Sequence, residues 1–112
     1  MSKLNIAVIG AGYIASKHLE VIKEIKGMKV IAITSRTLSK AINLFKKYNI
    51  KNVFKDYKSL IKDTKPDGIM VLVSSEEIFS LTKKLIPYQI PLFIEKPPGL
   101  NFKETNQLNI LL

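Results

Sequence analysis

The chain has 112 residues, of which 46% are hydrophobic, and it carries a net charge of +9. That length allows one domain and that apolar content allows a real core, which speaks against disorder. With no cysteine, disulfides, thiolate metal sites and a cysteine nucleophile are excluded, and a single histidine, His18, argues against a histidine zinc site.

No apolar run reaches the length of a membrane span, and no charged leader precedes a secretory apolar core, so the expected location is cytoplasmic. All but one of the 18 basic residues are lysines, dispersed from Lys3 to Lys103 without interleaved aromatics. That pattern reads as a solvated surface and not as a nucleic-acid or membrane contact, because phosphate binders cluster their charge.

Leu4 to Ile9 is nearly all apolar, as expected of a strand buried on both faces of a parallel sheet. It runs into Gly10-Ala11-Gly12. A helix is expected from Tyr13 to Lys26, with Ile14, His18, Val21, Ile22 and Ile25 at helical spacing and Gly27 as its stop. Met28 to Thr34 is a second strand. Thr37 can cap a second helix bearing Leu38, Ala41, Ile42, Phe45 and Tyr48 on one face.

Asn52 to Phe54 is a short third strand, followed by a short helix from Asp56 to Lys62 with Tyr57, Leu60 and Ile61. After the turn cluster Lys65-Pro66-Asp67-Gly68 comes a fourth strand, Ile69 to Val73. Glu76 to Ile86 reads as a helix with Ile78, Phe79, Leu81, Thr82 and Leu85 inward and acidic residues in its first turn. Pro87 and Pro91 bracket a turn before a fifth strand, Leu92 to Ile94. The chain then passes through Glu95-Lys96-Pro97-Pro98-Gly99, and Asn101 with Glu104 resembles a capping box for a last helix.

Strands alternating with helices predict an α/β fold: a doubly wound parallel sheet between two helical layers, in the Rossmann-type order 3-2-1-4-5, as one domain over residues 1–112. The switch point then lies between the first and fourth strands, above the glycine turn.

The turn matches G-x-G-x-x-A, a dinucleotide-binding pattern, although glycines also occupy strand-to-helix turns that hold no ligand. Gly10 would allow the sharp turn, Gly12 would leave room for a pyrophosphate, and Ala15 would let the helix pack close to the strand. Tyr13 leans over a cofactor or merely covers the turn. About 20 positions after such a turn, NAD-binding sites usually place an acidic residue on the ribose. Here no Asp or Glu occurs between Glu24 and Asp56; Ser35, Arg36 and Thr37 stand there instead. A guanidinium takes a 2′-phosphate in a forked geometry, so this reading favours NADP over NAD.

Lys96, directly after the fifth strand, is positioned to donate to a reacting oxygen or shuttle a proton, or is a surface lysine paired to Glu95. Ser74, Ser75, Glu76 and Glu77 close the fourth strand, as cofactor contacts or as an ordinary helix start. His18 is expected to pack on its helix's inner side.

These residues bring out a resemblance. The segment 9–18 (Ile-Gly-Ala-Gly-Tyr-Ile-Ala-Ser-Lys-His), Ser35-Arg36, Lys55-Asp56-Tyr57, Pro66-Asp67-Gly68-Ile69 and Glu95-Lys96-Pro97 resemble the N-terminal domain of the Gfo/Idh/MocA oxidoreductases over roughly residues 3–100. The Glu-Lys-Pro element is the specific part, since many families share the glycine turn. The resemblance implies NAD(P)-dependent hydride transfer on sugars, polyols or related hydroxyl and carbonyl compounds. It maps Gly10, Gly12 and Ala15 to the cofactor turn, Ser35 and Arg36 to an NADP-type ribose site, and Lys96 to a catalytic lysine that contacts nicotinamide and substrate. The expected cofactor site also takes in Tyr13, Ile14, Thr37, Ser74, Ser75 and Glu95, and no metal is expected.

Two departures stand out. The family's Thr/Ser-Pro-Asn stretch and its following histidine are replaced here by Ser74-Ser75-Glu76-Glu77-Ile78-Phe79. The family's second domain, which carries the substrate pocket and an oligomer-forming sheet, is not within 112 residues. The expectation is therefore a cofactor-binding domain whose sugar-like substrate needs a second domain or subunit, with homo-oligomer formation open. The alternative is a non-catalytic dinucleotide-binding sensor or partner subunit.

Overall fold

The innermost strand is Leu4–Ile9 (β1), and its side chains feed both faces of a five-stranded sheet. Ile6 and Val8 join one buried cluster, and Ala7 and Ile9 join the other. That alternation in an almost wholly apolar strand is the mark of burial on both sides. The computed structural model describes residues 3–94. In chain order they form β1, α1 (Tyr13–Ile22), β2 (Met28–Thr34), α2 (Leu38–Lys47), β3 (Asn52–Phe54), α3 (Tyr57–Thr64), β4 (Gly68–Val71), α4 (Ser75–Leu85), a 3₁₀ turn (Ile86–Tyr88) and β5 (Leu92–Ile94). The sheet order is β3-β2-β1-β4-β5 and every neighbouring pair is parallel, as the alternation of elements predicts.

Helices α1 and α2 cover one face through Ala15, Leu19, Ile22, Ala41 and Leu44. Helices α3 and α4 cover the other through Leu60, Ile61 and Leu85. Each fully buried leucine or isoleucine contributes about 1.5–3 kcal/mol, so these two layers, and not the short β3 and β5, supply most of the cohesion.

The pairing of β1 with β2 contains an irregularity. Ile6 pairs with Val30, but Ala7 pairs with Ala32, so Ile31 is an extra residue in β2. As a result Ile31 and Ala32 both pack toward α3 and α4, whereas Val30 and Ile33 pack toward α1 and α2.

Several boundaries differ from expectation. Helix α1 ends at Ile22, not Lys26, because its last turn tightens: the amides of Glu24 and Ile25 donate to the carbonyls of Val21 and Ile22. Gly27 is not a left-handed cap. Its carbonyl accepts from the Leu4 amide, which draws the chain straight into β2. Helix α3 starts after Asp56 and runs on to Thr64, β4 stops at Val71, and α4 begins one residue early at Ser75.

The inward face of α1 also differs. Ala15, Leu19 and Ile22 are buried, while Ile14, Val21 and Ile25 are exposed. The apolar stripe of α1 is wider than its contact with β1 and β2. Its outer part borders the α1 side of β4 and β5, which no helix covers among the described residues. Leu4, Val21, Ile25 and Phe93 line that open groove, and His18 sits edge-on to Phe93 with ring centroids 5.6 Å apart. In α2, Leu38 is likewise exposed in the first turn, and Leu44 does the buried work.

Turn chemistry fixes the entry to β4. Lys65 ends α3 in the left-handed region at φ 45°, donating its amide to Ile61. Asp67 then ties the chain to β1 twice: its amide donates to the Asn5 carbonyl, and its carboxylate accepts from the Asn5 amide at 2.7 Å. On the opposite face, Tyr48 at the end of α2 donates its hydroxyl to Glu20 of α1 at 2.6 Å. This hydrogen bond, then burial, then the carboxylate's charge push Tyr48 up to about 12. The same hydrogen bond, followed by Lys23, holds Glu20 below the ordinary carboxylate range.

Glycine removes the Cβ cost of a left-handed residue, so Lys65→Gly is expected to stabilise the fold by about 0.5–1 kcal/mol in urea denaturation. The raised Tyr48 value means its contribution is complete below pH ~10 and is lost as pH rises through about 12. An ultraviolet titration of the four tyrosines should show one ionising last, and Tyr48→Phe should remove that phase.

Candidate functional site

The carboxyl ends of β1, β2 and β4 meet where the strand order reverses, the crevice where open α/β sheets bind ligands. The path of the chain there depends on Gly10. Its φ is 121°, and a Cβ on it would lie 2.1 Å from the Leu72 carbonyl oxygen and 2.6 Å from the Leu72 carbonyl carbon. Only glycine fits. The Gly10 amide donates to Thr34 at the end of β2, and the Leu72 amide donates to Ile9, so the turn is pinned to both neighbouring strands.

Gly12 differs in kind. It is the N-cap of α1 with φ −86°, a value open to any residue, and a Cβ there would meet nothing within 4 Å. Among the described residues no side chain caps α1, and no acidic residue occupies its first turn. The helix therefore presents open amides and the positive end of its dipole at the exposed Gly12. Ala15, fully buried, seats the first turn against the sheet. Tyr13 and Ile14 are exposed, and the Lys17 ammonium lies over the Tyr13 ring at 5.1 Å.

Beside the turn lies a cleft of about 450 Å³. Ile9, Thr34, Ser35 and Arg36 form one wall, Lys55, Asp56 and Tyr57 the floor after β3, and Val73 with Glu76, Glu77, Ser80, Leu81 and Lys84 the opposite wall. Thr34 is anchored by its hydroxyl, which donates to the Phe54 carbonyl at 2.8 Å. Ser35 accepts from the Thr37 amide at 3.2 Å, which leaves its hydroxyl proton free to donate outward. Thr37 sits at the N-cap of α2, but its side chain makes no capping bond. Asp56 caps α3 by accepting from the Ser59 amide at 2.7 Å, and this bond, then the Ser59 hydroxyl, lowers its carboxyl below the usual range.

The fold thus brings Ser35 and Arg36 to the cleft and sets the glycine turn beside it. Ser74 and Ser75 stand at the start of α4 without lining the cleft, and Ser74 caps through its carbonyl alone. Glu95 and Lys96 lie outside the described residues, as does the expected capping box at Asn101 and Glu104. The sequence reading did not foresee that Arg36 is paired. Its guanidinium donates to Glu77, 41 residues away in α4. The available signal was the Glu76-Glu77 pair directly after the fourth strand, read there as contacts or as a helix start.

A family model described as "Oxidoreductase family, NAD-binding Rossmann fold" matches residues 4–111. The chain belongs to the Gfo/Idh/MocA oxidoreductase family. Among curated members it is 26% identical over 108 residues to D-glucoside 3-dehydrogenase of Escherichia coli, covering 96% of this chain and 31% of that protein. It is 27% identical over 105 residues to myo-inositol 2-dehydrogenase of Thermotoga maritima, covering 94% and 31%. A solved probable dehydrogenase from Thermotoga maritima superposes with a TM-score of 0.86 at 27% identity, covering 96% of this chain and 32% of that one. Myo-inositol dehydrogenase from Lactobacillus casei, solved with NAD(H) and myo-inositol, shares the fold with a TM-score of 0.89 at 20% identity, covering 97% and 33%. The chain spans about a third of the length of the relatives it matches.

As a Gfo/Idh/MocA Rossmann domain, the chain has exposed lysines throughout its described residues, in keeping with a solvated basic surface. Among those residues no group of acidic, histidine or cysteine side chains is placed to hold a metal, and no helix is long and apolar enough to cross a membrane.

The two turn glycines are separable by experiment. Gly10→Ala should cost about 3 kcal/mol or more, through positive φ and collision with Leu72. Gly12→Ala should stay within about 1 kcal/mol of the parent. Denaturant melts of both variants check this.

Proposed function

We propose that this chain is the cofactor-binding part of an NAD(P)-dependent oxidoreductase acting on a sugar, polyol or related hydroxyl or carbonyl compound, with NADP the favoured cofactor. The observation that carries the reading is the uncapped start of α1 at Gly12, open to solvent beside a cleft with Arg36 on its wall. A dinucleotide fits these residues. The pyrophosphate would lie across the amides of Gly12, Tyr13, Ile14 and Ala15, and the adenosine would enter the cleft between Ser35-Arg36 and α4.

The bound nicotinamide would supply hydride transfer. The chain's own task is to bind and orient. Open amides at the helix start neutralise pyrophosphate charge without a counter-ion. Ser35 donates its hydroxyl, Arg36 offers a two-pronged cation to a 2′-phosphate, and Thr37 holds Ser35 in place through its amide. Lys96, directly after β5 in sequence, is assigned to hold the reacting oxygen, with Glu95 orienting it. Ser74 and Ser75 approach the nicotinamide end from the start of α4. The family resemblance and the names of the sugar and inositol dehydrogenases support the substrate class.

The substrate pocket belongs to a second domain or subunit, consistent with relatives about three times as long. By itself the chain is expected to bind cofactor and to turn over little, since a reaction needs its partners held in register.

NADPH and NADH titrated against the chain, read by nicotinamide fluorescence, should show tighter binding of NADPH. Arg36→Ala should lose about tenfold in NADPH affinity, the scale of one charge-assisted hydrogen bond, and leave NADH within about twofold. Equal binding of the two by the parent chain would refute the role given to Arg36.

A further inference from the structure

Arg36 is not free to meet a ligand. Its Nη1 donates to Oε1 of Glu77, so the cation given to the 2′-phosphate already holds a carboxylate. The two residues come from opposite walls of the same cleft, and their side chains differ in exposure, 81% for Arg36 and 28% for Glu77. A mostly exposed guanidinium can swing away at little cost. The carboxylate, carried on the first turn of α4 and largely covered, has less room to leave. A phosphate arriving at Arg36 would therefore meet Glu77 beside it.

Among the described residues, the surroundings do not offset that repulsion. Of the other charged residues lining the cleft, Lys55 and Lys84 are matched in number by Asp56 and Glu76. The Asp56 carboxylate is engaged at the start of α3 and keeps its negative charge there. A ribose without a phosphate meets the opposite situation, because a carboxylate accepts from both of its hydroxyls. The end of β2 has no acidic residue of its own. Glu77 brings one to that place from across the crevice, held by Arg36.

We propose that Glu77 is a specificity-determining residue. It competes with a 2′-phosphate for Arg36 and accepts the hydroxyls of an unphosphorylated ribose, so the Arg36–Glu77 pair sets the balance between NADP and NAD. The inference rests on the cofactor reading above and adds a second residue, of opposite effect, to it. Arg36 favours the phosphate; Glu77 limits how far that preference goes.

The test is Glu77→Gln in the 112-residue chain, with NADPH and NADH titrated against it and against the parent, and with thermal midpoints recorded for both. The ratio of NADPH to NADH affinity should rise about tenfold, through tighter NADPH and weaker NADH binding. The same substitution made together with Arg36→Ala should move the ratio much less, since the competition is for Arg36. A pair that only staples α4 to β2 would lower the thermal midpoint and leave the ratio where it was, and that result overturns the proposal. If the parent chain binds neither dinucleotide, the cofactor reading falls and this inference falls with it. If the parent binds both and Glu77→Gln does not move the ratio, this inference alone is overturned.

Discussion

The crevice depends on how tightly Gly10 packs against the Leu72 carbonyl. β1 ends there, the chain reverses into α1, and the backbone leaving β4 passes at a distance that admits no Cβ. Three things depend on this one contact. It lets β4 lie beside β1 right up to the crevice. It aims the start of α1 across the carboxyl ends of the strands. It also sets Gly12 one step further on, where there is open space. The two glycines of one pattern therefore work by opposite means, Gly10 through absence of room and Gly12 through abundance of it.

The layers that hold this turn were legible in the sequence for a simple reason. Gly68–Val71 is apolar throughout and Leu4–Ile9 is broken only by Asn5, and such runs between helical patterns have few solutions besides a covered parallel sheet. Less legible was which side of each helix faces inward. Val21 and Ile25 sit at helical spacing with Ile14 and His18, yet they border the open side of β4 and β5, and Ala15, Leu19 and Ile22 take the core. Periodicity gives the width of an apolar stripe, not which part of it finds a partner. Helix ends were misjudged for a related reason. Gly27 looks like a terminator, but the chain leaves α1 through a tightened turn several residues earlier.

The candidate site divides in the same way. Its local parts, the glycine turn and the Ser35-Arg36 pair, could be read because each function is carried by neighbours in the chain. The pairing of Arg36 with Glu77 could not, because it joins residues 41 apart that only the crossover from β2 to α4 brings together. A lone arginine among lysines reads as a free cation; in the folded chain it has a counter-charge, and the electrostatic character of the cleft follows from both.

The extra residue in β2 determines where that arginine emerges. Without Ile31 out of register, strict alternation would turn Thr34 to the same side as Met28 and Val30, toward α1 and α2. The irregularity reverses the phase. Ala32 and Thr34 then face α3 and α4, and the chain leaves the strand into the cleft that α4 closes. One unpaired residue near the middle of a strand thus works as a parity switch, choosing which side of the sheet receives Arg36.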